Sequence, residues 1–178
     1  MNNRIKILKN FISKQDSNFL IKTMQQLEKN NLLVNFKDNP DVLVVESNKQ
    51  VDQILKKYSL LLNNIHKKEN GFVPKLYTTE GFLSLWNKGA SSDVHTDSHK
   101  GYEFLQFATI IYLNDDFVGG NIFFPNQNFL YKPKSRDAII FPCGGTEYLH
   151  GVTKIQSGKR YTIAMWHSSY GNFSKELN

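Results

Sequence analysis

YLHGVTKIQSGKRYTIAMWH, residues 148–167, is the stretch whose reading decides the fold. Two runs rich in β-branched and aromatic residues, Tyr148 to Ile155 and Arg160 to His167, flank the polar, glycine-containing segment Gln156 to Lys159. That pattern predicts two strands joined by a hairpin turn. The first strand carries His150 and the second opens with Arg160, so the hairpin brings a histidine and an arginine to one end of a sheet.

The same texture extends toward the N-terminus as far as Gly81. Short apolar runs bounded by Gly, Pro and Asn/Asp predict further strands at Phe82 to Trp86, Phe104 to Leu113, Asn121 to Phe124 and Asp137 to Phe141. Before Gly81 the periodicity is helical. An extended piece, Ile5 to Phe11, leads to Ser13, whose partner Asp16 three residues later forms a capping-box pattern with Asp in place of Glu. It opens a helix through Phe19, Leu20, Met24 and Leu27, and a second runs from Val51 through Ile54, Leu55, Tyr58, Leu61, Leu62 and Ile65. Helices followed by many strands predict an α+β chain: a jelly roll of antiparallel strands, the double-stranded β-helix, buttressed by N-terminal helices. We expect one domain over residues 1–178, with 1–80 mainly helical support and 81–170 the jelly-roll core.

Composition narrows the function classes. The 178 residues, 40% hydrophobic and 13% aromatic, suffice for one core. Cys143 is the single cysteine, so no internal disulfide is possible, and neither a signal-length apolar run nor a membrane span is present. An intracellular, cytoplasmic location, without secretion or membrane partner, is the expectation. The net charge of +6 is uneven: residues 1–75 hold 13 Lys/Arg against 7 Asp/Glu, while residues 76–178 hold 9 of each. With no basic excess in the half that carries the chemistry, a nucleic-acid partner is disfavoured.

That chemistry starts at His95 and Asp97. Two residues apart at a strand end, they point to the same side of a sheet while Thr96 faces away. His150 lies in a distant strand that a closed sandwich can bring across the cavity. Two imidazoles and a carboxylate on one face of Fe(II) leave roughly three octahedral positions open, enough for a bidentate organic acid and O2. An HxD with a distant histidine is a weak motif by itself, and His99 in HTDSH offers a competing imidazole; alternate spacing from Asp97 favours His95, leaving His99 to a loop or supporting role. Arg160 adds the second half of the pattern. A strand-start arginine is ordinary on a surface, but inside a barrel it needs a partner, and its planar fork suits a carboxylate. A dicarboxylate with one end on iron and the other on Arg160 has the shape of 2-oxoglutarate.

With these residues in place the chain resembles the 2-oxoglutarate and Fe(II)-dependent dioxygenases, most closely their prolyl 4-hydroxylase-like branch. The resemblance runs through KILKNFISKQDSNFLI, LWNKGASSDVHTD, ATIIYLNDDFVGGNIFFP, YKPKSRDAIIFP and YLHGVTKIQSGKRYTIAMWH. It implies His95, Asp97 and His150 as iron ligands and Arg160 as the partner of the remote carboxylate of 2-oxoglutarate. It also implies Tyr112 reaching that carboxylate and Trp166 lining the cosubstrate pocket. Four positions depart from the pattern: Trp86 stands where a tyrosine is usual, Ile122 where Thr is common, Arg136 where Gly is usual, and Arg160 where many prolyl 4-hydroxylases use Lys. Trp86 can donate through its indole N–H but cannot replace a hydroxyl acceptor.

The implied activity is hydroxylation of an unactivated C–H bond with Fe(II), 2-oxoglutarate and O2, giving succinate and CO2, with ascorbate as reductant. A prolyl residue in a peptide or protein is the favoured substrate; a free amino acid or other small molecule is the alternative, ahead of a nucleic-acid demethylase or a non-enzymatic binding module. The loops Asn87 to Val94 and Ser98 to Glu103, with Tyr102 and Phe104 as walls, are the expected substrate contacts.

Overall fold

A computed structural model describes residues 4–36, 39–70 and 76–170. Its eleven strands form two antiparallel sheets, with both helices on the outer face of the larger one. The larger sheet has the order β1-β9-β6-β11-β4-β3-β2, from β1 (Lys6–Leu8), β9 (Ala138–Pro142), β6 (Phe107–Tyr112), β11 (Arg160–Ser168), β4 (Tyr77–Trp86), β3 (Asn39–Val44) and β2 (Val34–Phe36). The smaller has the order β5-β10-β7-β8, from β5 (Ser92–His95), β10 (His150–Val152), β7 (Ile122–Phe124) and β8 (Phe129–Tyr131). The double-stranded β-helix expected from the sequence is the observed architecture.

Helix α1 (Lys14–Lys29) begins at Ser13, whose side chain accepts from the Asp16 amide. The reciprocal half of the capping box is absent: the Asp16 carboxylate accepts instead from Tyr58 Oη and Lys57 Nζ, each at 2.7 Å, and the Tyr58 hydroxyl takes the Ser13 amide at 2.9 Å. The cap therefore doubles as a clamp between α1 and α2 (Lys49–Asn70). Leu20 and Met24 of α1 and Val51, Leu55 and Leu62 of α2 bury against Leu83, Leu85, Ile111, Ile163 and Met165 of the sheet. Each such side chain contributes about 1.5–3 kcal/mol by leaving water.

Strand alternation sends the other residues of those same strands to the inner face. Trp86, Ile110, Tyr112, Phe141, Arg160, Thr162 and Trp166 look toward the smaller sheet, where Ile122 and Phe124 complete a second core. The expected boundaries shift in several places. Strand β4 starts at Tyr77 and β2 and β3 lie within residues 34–44, so the first eighty residues supply sheet as well as helical support. The expected strand at Phe104 to Leu113 shortens to β6, and that at Tyr148 to Ile155 shortens to β10 behind a 3-10 turn, Thr146–Tyr148. Strands β2, β5 and β8 are only three or four residues long, and β3 opens on the polar Asn39-Pro40-Asp41 before its apolar Val42-Leu43-Val44; none of the four is among the strands the sequence predicts.

Candidate metal and cosubstrate site

His95 ends β5 and His150 begins β10, and the two are direct partners in the antiparallel register. Their ring centroids are 4.4 Å apart. Asp97 follows β5, and the nearest ligand atoms of the three residues all lie within 4.8 Å of one another. Asp97 Oδ1 is 3.6 Å from His95 Nε2 and Oδ2 is 3.7 Å from His150 Nε2, distances that suit groups arranged around a shared centre better than mutual hydrogen bonds.

Each imidazole is aimed by the backbone. His95 Nδ1 lies 2.8 Å from the Asp93 carbonyl and His150 Nδ1 lies 3.1 Å from the Tyr148 carbonyl. A carbonyl only accepts, so both Nδ1 atoms donate and both Nε2 lone pairs face Asp97, as ligation requires. Burial pulls the His150 pKa down, against the pull of Asp97, and favours the neutral form that binds metal. Burial pushes the Asp97 carboxyl up, but His95, His150 and the Trp166 indole outweigh it and hold the pKa below the ordinary carboxylate value. Thr96, turned away, donates to the Cys143 carbonyl at 2.5 Å, and the Ser98 amide donates to the same oxygen at 3.1 Å. The Asp97 loop is thereby pinned on both sides. Gly151 leaves room for the strand pairing: a Cβ there would stand 2.9 Å from the Ser92 carbonyl and 2.8 Å from the Phe123 ring.

Arg160 lies at the far end of a cavity of ≈ 130 Å³ that also contains His95, Asp97 and His150 in its wall. Its side chain is only 2% exposed, and Nε and Nη1 have no hydrogen-bond partner. Burial lowers its pKa, with Tyr112 opposing. The guanidinium carbon is 4.8 Å from the Trp86 ring centre and 5.2 Å from that of Tyr112, so the two rings flank it. Trp86, where a tyrosine hydroxyl was in question, thus acts as a packing face for Arg160. The buried Tyr112 hydroxyl faces the guanidinium without a well-formed hydrogen bond; burial raises its pKa, and the charge and polar contact of Arg160 offset part of the rise. Gly120, at φ +62°, admits the arginine stem, since a Cβ there would come within 3.1 Å of Arg160 Cδ.

Five buried side-chain polar atoms lack partners among the described residues, and four of them are Asp97 Oδ2, Tyr112 Oη, Arg160 Nε and Arg160 Nη1. Buried polar groups are normally satisfied. Their concentration here, an acceptor beside two imidazole lone pairs and a set of donors at the opposite end, fits a cation at His95, Asp97 and His150 and an anion at Arg160 and Tyr112.

The geometry agrees with the family comparison: residues 81–168 match the family model of the 2OG-Fe(II) oxygenase superfamily. Residues 81–168 are a domain of that superfamily. The chain is 36% identical over 72 residues, 38% of its length, to prolyl 3-hydroxylase 3 of Mus musculus, and spans 10% of the length of that relative. Among solved structures it is similar to a Pseudomonas putida prolyl-4-hydroxylase, with a TM-score of 0.75 at 16% identity over 96% of this chain and 95% of the other. It is likewise similar to the 2OG complex of the viral collagen prolyl hydroxylase from Paramecium Bursaria Chlorella virus-1, with a TM-score of 0.72 at 16% identity over 95% and 97%.

The remaining expected residues divide. Trp166 lines the cavity and Tyr102 lines a second one beside it, whereas Phe104 packs half-buried against the inter-sheet core and lines neither, because Leu105 takes the inward position. His99 is exposed, stacks near Tyr102 at 4.9 Å and stands outside the ligand cluster. Of the loop from Asn87 to Val94, only Ser92 reaches the cavity wall. Asn114 was missed: it donates to the Lys159 carbonyl at 2.7 Å and accepts the Tyr161 amide at 2.9 Å, holding the backbone on both sides of Arg160. An asparagine after a strand reads as a turn former, and no local signal shows that its partner lies over 40 residues away.

Proposed function

We propose that this chain is an Fe(II)- and 2-oxoglutarate-dependent dioxygenase that hydroxylates a prolyl residue of a peptide or protein. The observation that carries the reading is one cavity lined both by an iron-type ligand set, His95, Asp97 and His150, and by the buried guanidinium of Arg160, whose Nε and Nη1 have no partner. With O2, the bound iron and 2-oxoglutarate supply the oxidising chemistry, which inserts one oxygen atom into a C–H bond and releases succinate and CO2. His95 and His150 through Nε2, together with the Asp97 carboxylate, would hold the metal. Arg160 and the Tyr112 hydroxyl bind the remote carboxylate, while Trp86 keeps the guanidinium oriented. Ile110, Ile122 and Phe141 exclude water between the two ends.

A peptide substrate is favoured over a small molecule by the second cavity, ≈ 340 Å³, which opens beside His95 and Asp97 and is walled by Phe36, Phe82, Tyr102 and Trp166. Aromatic faces suit the flat, apolar ring of proline, and an extended proline-containing segment loses little entropy on docking. The prolyl hydroxylases among its relatives and structural neighbours support the same choice. Ascorbate serves as the external reductant.

The test is anaerobic loading with Fe(II) and 2-oxoglutarate, then admission of air with proline-containing peptides, free amino acids or methylated oligonucleotides. Succinate release together with a one-oxygen mass gain on the peptide is the expected result, lost in His150→Ala. Equal succinate from wild type and His150→Ala would refute the site; a mass gain on free amino acids alone would move the substrate to the small-molecule class.

A further inference from the structure

The inner face of β4 and β11 ends in a charge that the metal and cosubstrate site does not use. Their register pairs Trp86 with Arg160, Ser84 with Thr162, Phe82 with Ala164 and Glu80 with Trp166. Six residues of extended strand, roughly 20 Å, separate a buried cation at one end from the exposed carboxylate of Glu80 at the other. Glu80 lies outside the cosubstrate cavity but in the wall of the second, along with His95 and Asp97.

Three aromatic rings lead from the strand edge to Glu80. Phe36 and Phe82 have centroids 4.9 Å apart, and Phe82 and Trp166 are 5.2 Å apart. Tyr102, 45% exposed, and His99 form the facing wall. No Lys or Arg lines this cavity among the described residues, and Glu80 forms no hydrogen bond or ion pair among them. Asp97, the other carboxylate in the wall, is committed to the ligand cluster. Among the described residues Glu80 is therefore the unneutralised charge of a groove walled largely by aromatic rings.

An aromatic surface ending in a carboxylate attracts a cation by two additive routes, the ring quadrupoles and the opposite charge. We propose that Glu80 and the Phe82–Trp166 wall bind a lysine or arginine side chain of the peptide substrate close to the residue that is hydroxylated. The inference rests on the peptide reading above and adds a charge requirement to it. Glu80 is the register partner of Trp166, which also lines the cosubstrate cavity, so a cation held there lies one side chain from the reaction site.

The experiment measures binding independently of turnover. Fluorescein-labelled proline peptides carrying lysine, norleucine or glutamate one to three positions from the proline are titrated anaerobically against the full chain with Fe(II) and 2-oxoglutarate. The lysine peptide is expected to bind about fivefold more tightly than the norleucine peptide, with the preference shrinking as salt rises. The preference disappears in Glu80→Gln and inverts toward the glutamate peptide in Glu80→Lys; both substitutions are at an exposed position, and circular dichroism checks the fold. Equal binding of lysine and norleucine peptides to wild type, a preference that survives Glu80→Gln, or binding of none of the peptides overturns the proposal. So does displacement by free lysine at the concentration at which the peptide itself competes. Charge-blind hydroxylation of proline peptides would sink this inference alone, whereas charge-selective binding without any hydroxylation would sink the activity alone.

Discussion

Replacing Arg160 with methionine is expected to stabilise the protein without 2-oxoglutarate and to make it the weaker protein with it. Arg160 is 2% exposed, with two donor atoms unpaired and no carboxylate beside it. An ion held in that state costs several kcal/mol, of which stacking on Trp86 and Tyr112 returns about 1–2 kcal/mol for each desolvated ring. The balance is a penalty of about 2 kcal/mol, which methionine removes because it fills the channel without a polar atom. For a chain of this size that is a rise in Tm of roughly 4–8 °C. With a divalent metal bound to both proteins, 2-oxoglutarate at a hundredfold its dissociation constant stabilises wild type by about 2.7 kcal/mol, enough to reverse the order of the two. Differential scanning calorimetry of both, with and without 2-oxoglutarate beside a redox-inert divalent metal, reads the crossing. A methionine variant that melts below wild type in the absence of ligand would show that the guanidinium is already satisfied, and one that keeps the full 2-oxoglutarate shift would remove Arg160 from the binding site.

Three other outcomes follow from the same geometry. Thr96→Val keeps the shape but deletes the hydrogen bond to the Cys143 carbonyl, so metal affinity read by competitive titration should fall roughly tenfold and recover in Thr96→Ser; a fall in stability with unchanged metal affinity would make the bond merely structural. Gly151→Ala forces a Cβ to within 2.9 Å of the Ser92 carbonyl, so it should cost about 1–3 kcal/mol in urea melts and weaken metal binding by moving His95 from His150; wild-type values for both would show that the strands separate freely. Asp16 is pushed up by burial but held lower overall by hydrogen bonds from Lys57, Tyr58 and Ser13. Its folded pKa is depressed, so its contribution is complete above the unfolded carboxylate's pKa and drains away as pH falls through the folded one. Asp16→Asn should therefore cost about 0.5–1 kcal/mol at neutral pH and nothing in strong acid; a constant deficit across the titration would assign the loss to packing.

The parts of this molecule legible in the sequence are those where one residue carries its own signal. The apolar periods of α1 and α2 and the alternation that puts His95 and Asp97 on one side read locally. The hairpin expected across Gln156 to Lys159 does not form: β10 pairs with β5 and β7 in the smaller sheet and β11 with β4 and β6 in the larger, so the segment crosses between sheets, a choice of partners that no local signal encodes. Strand β5 did not read locally either, because Ser92, Asp93, Val94 and His95 lack an apolar run; its pairing with β10 across some 55 residues of chain makes it a strand. Phe104 failed for the opposite reason, a strong β former carried into the core edge by a loop whose inward position belongs to Leu105.

Trp86 shows what only the folded chain reveals. As a letter it is the loss of a tyrosine hydroxyl; in register with Arg160 it is a ring 4.8 Å from a guanidinium whose other face lies 5.2 Å from the Tyr112 ring. A cation stored against an aromatic face keeps its orientation without spending its donors, whereas an arginine tied to a protein carboxylate would have to break that pair before accepting a ligand. A tryptophan at this place therefore supplies pre-orientation of Arg160 rather than a hydroxyl acceptor beside it. Trp86→Tyr should recover the hydroxyl and lose ring area over Arg160, and calorimetric 2-oxoglutarate binding decides which matters more: an affinity that falls supports the stacking role, and one that rises refutes it.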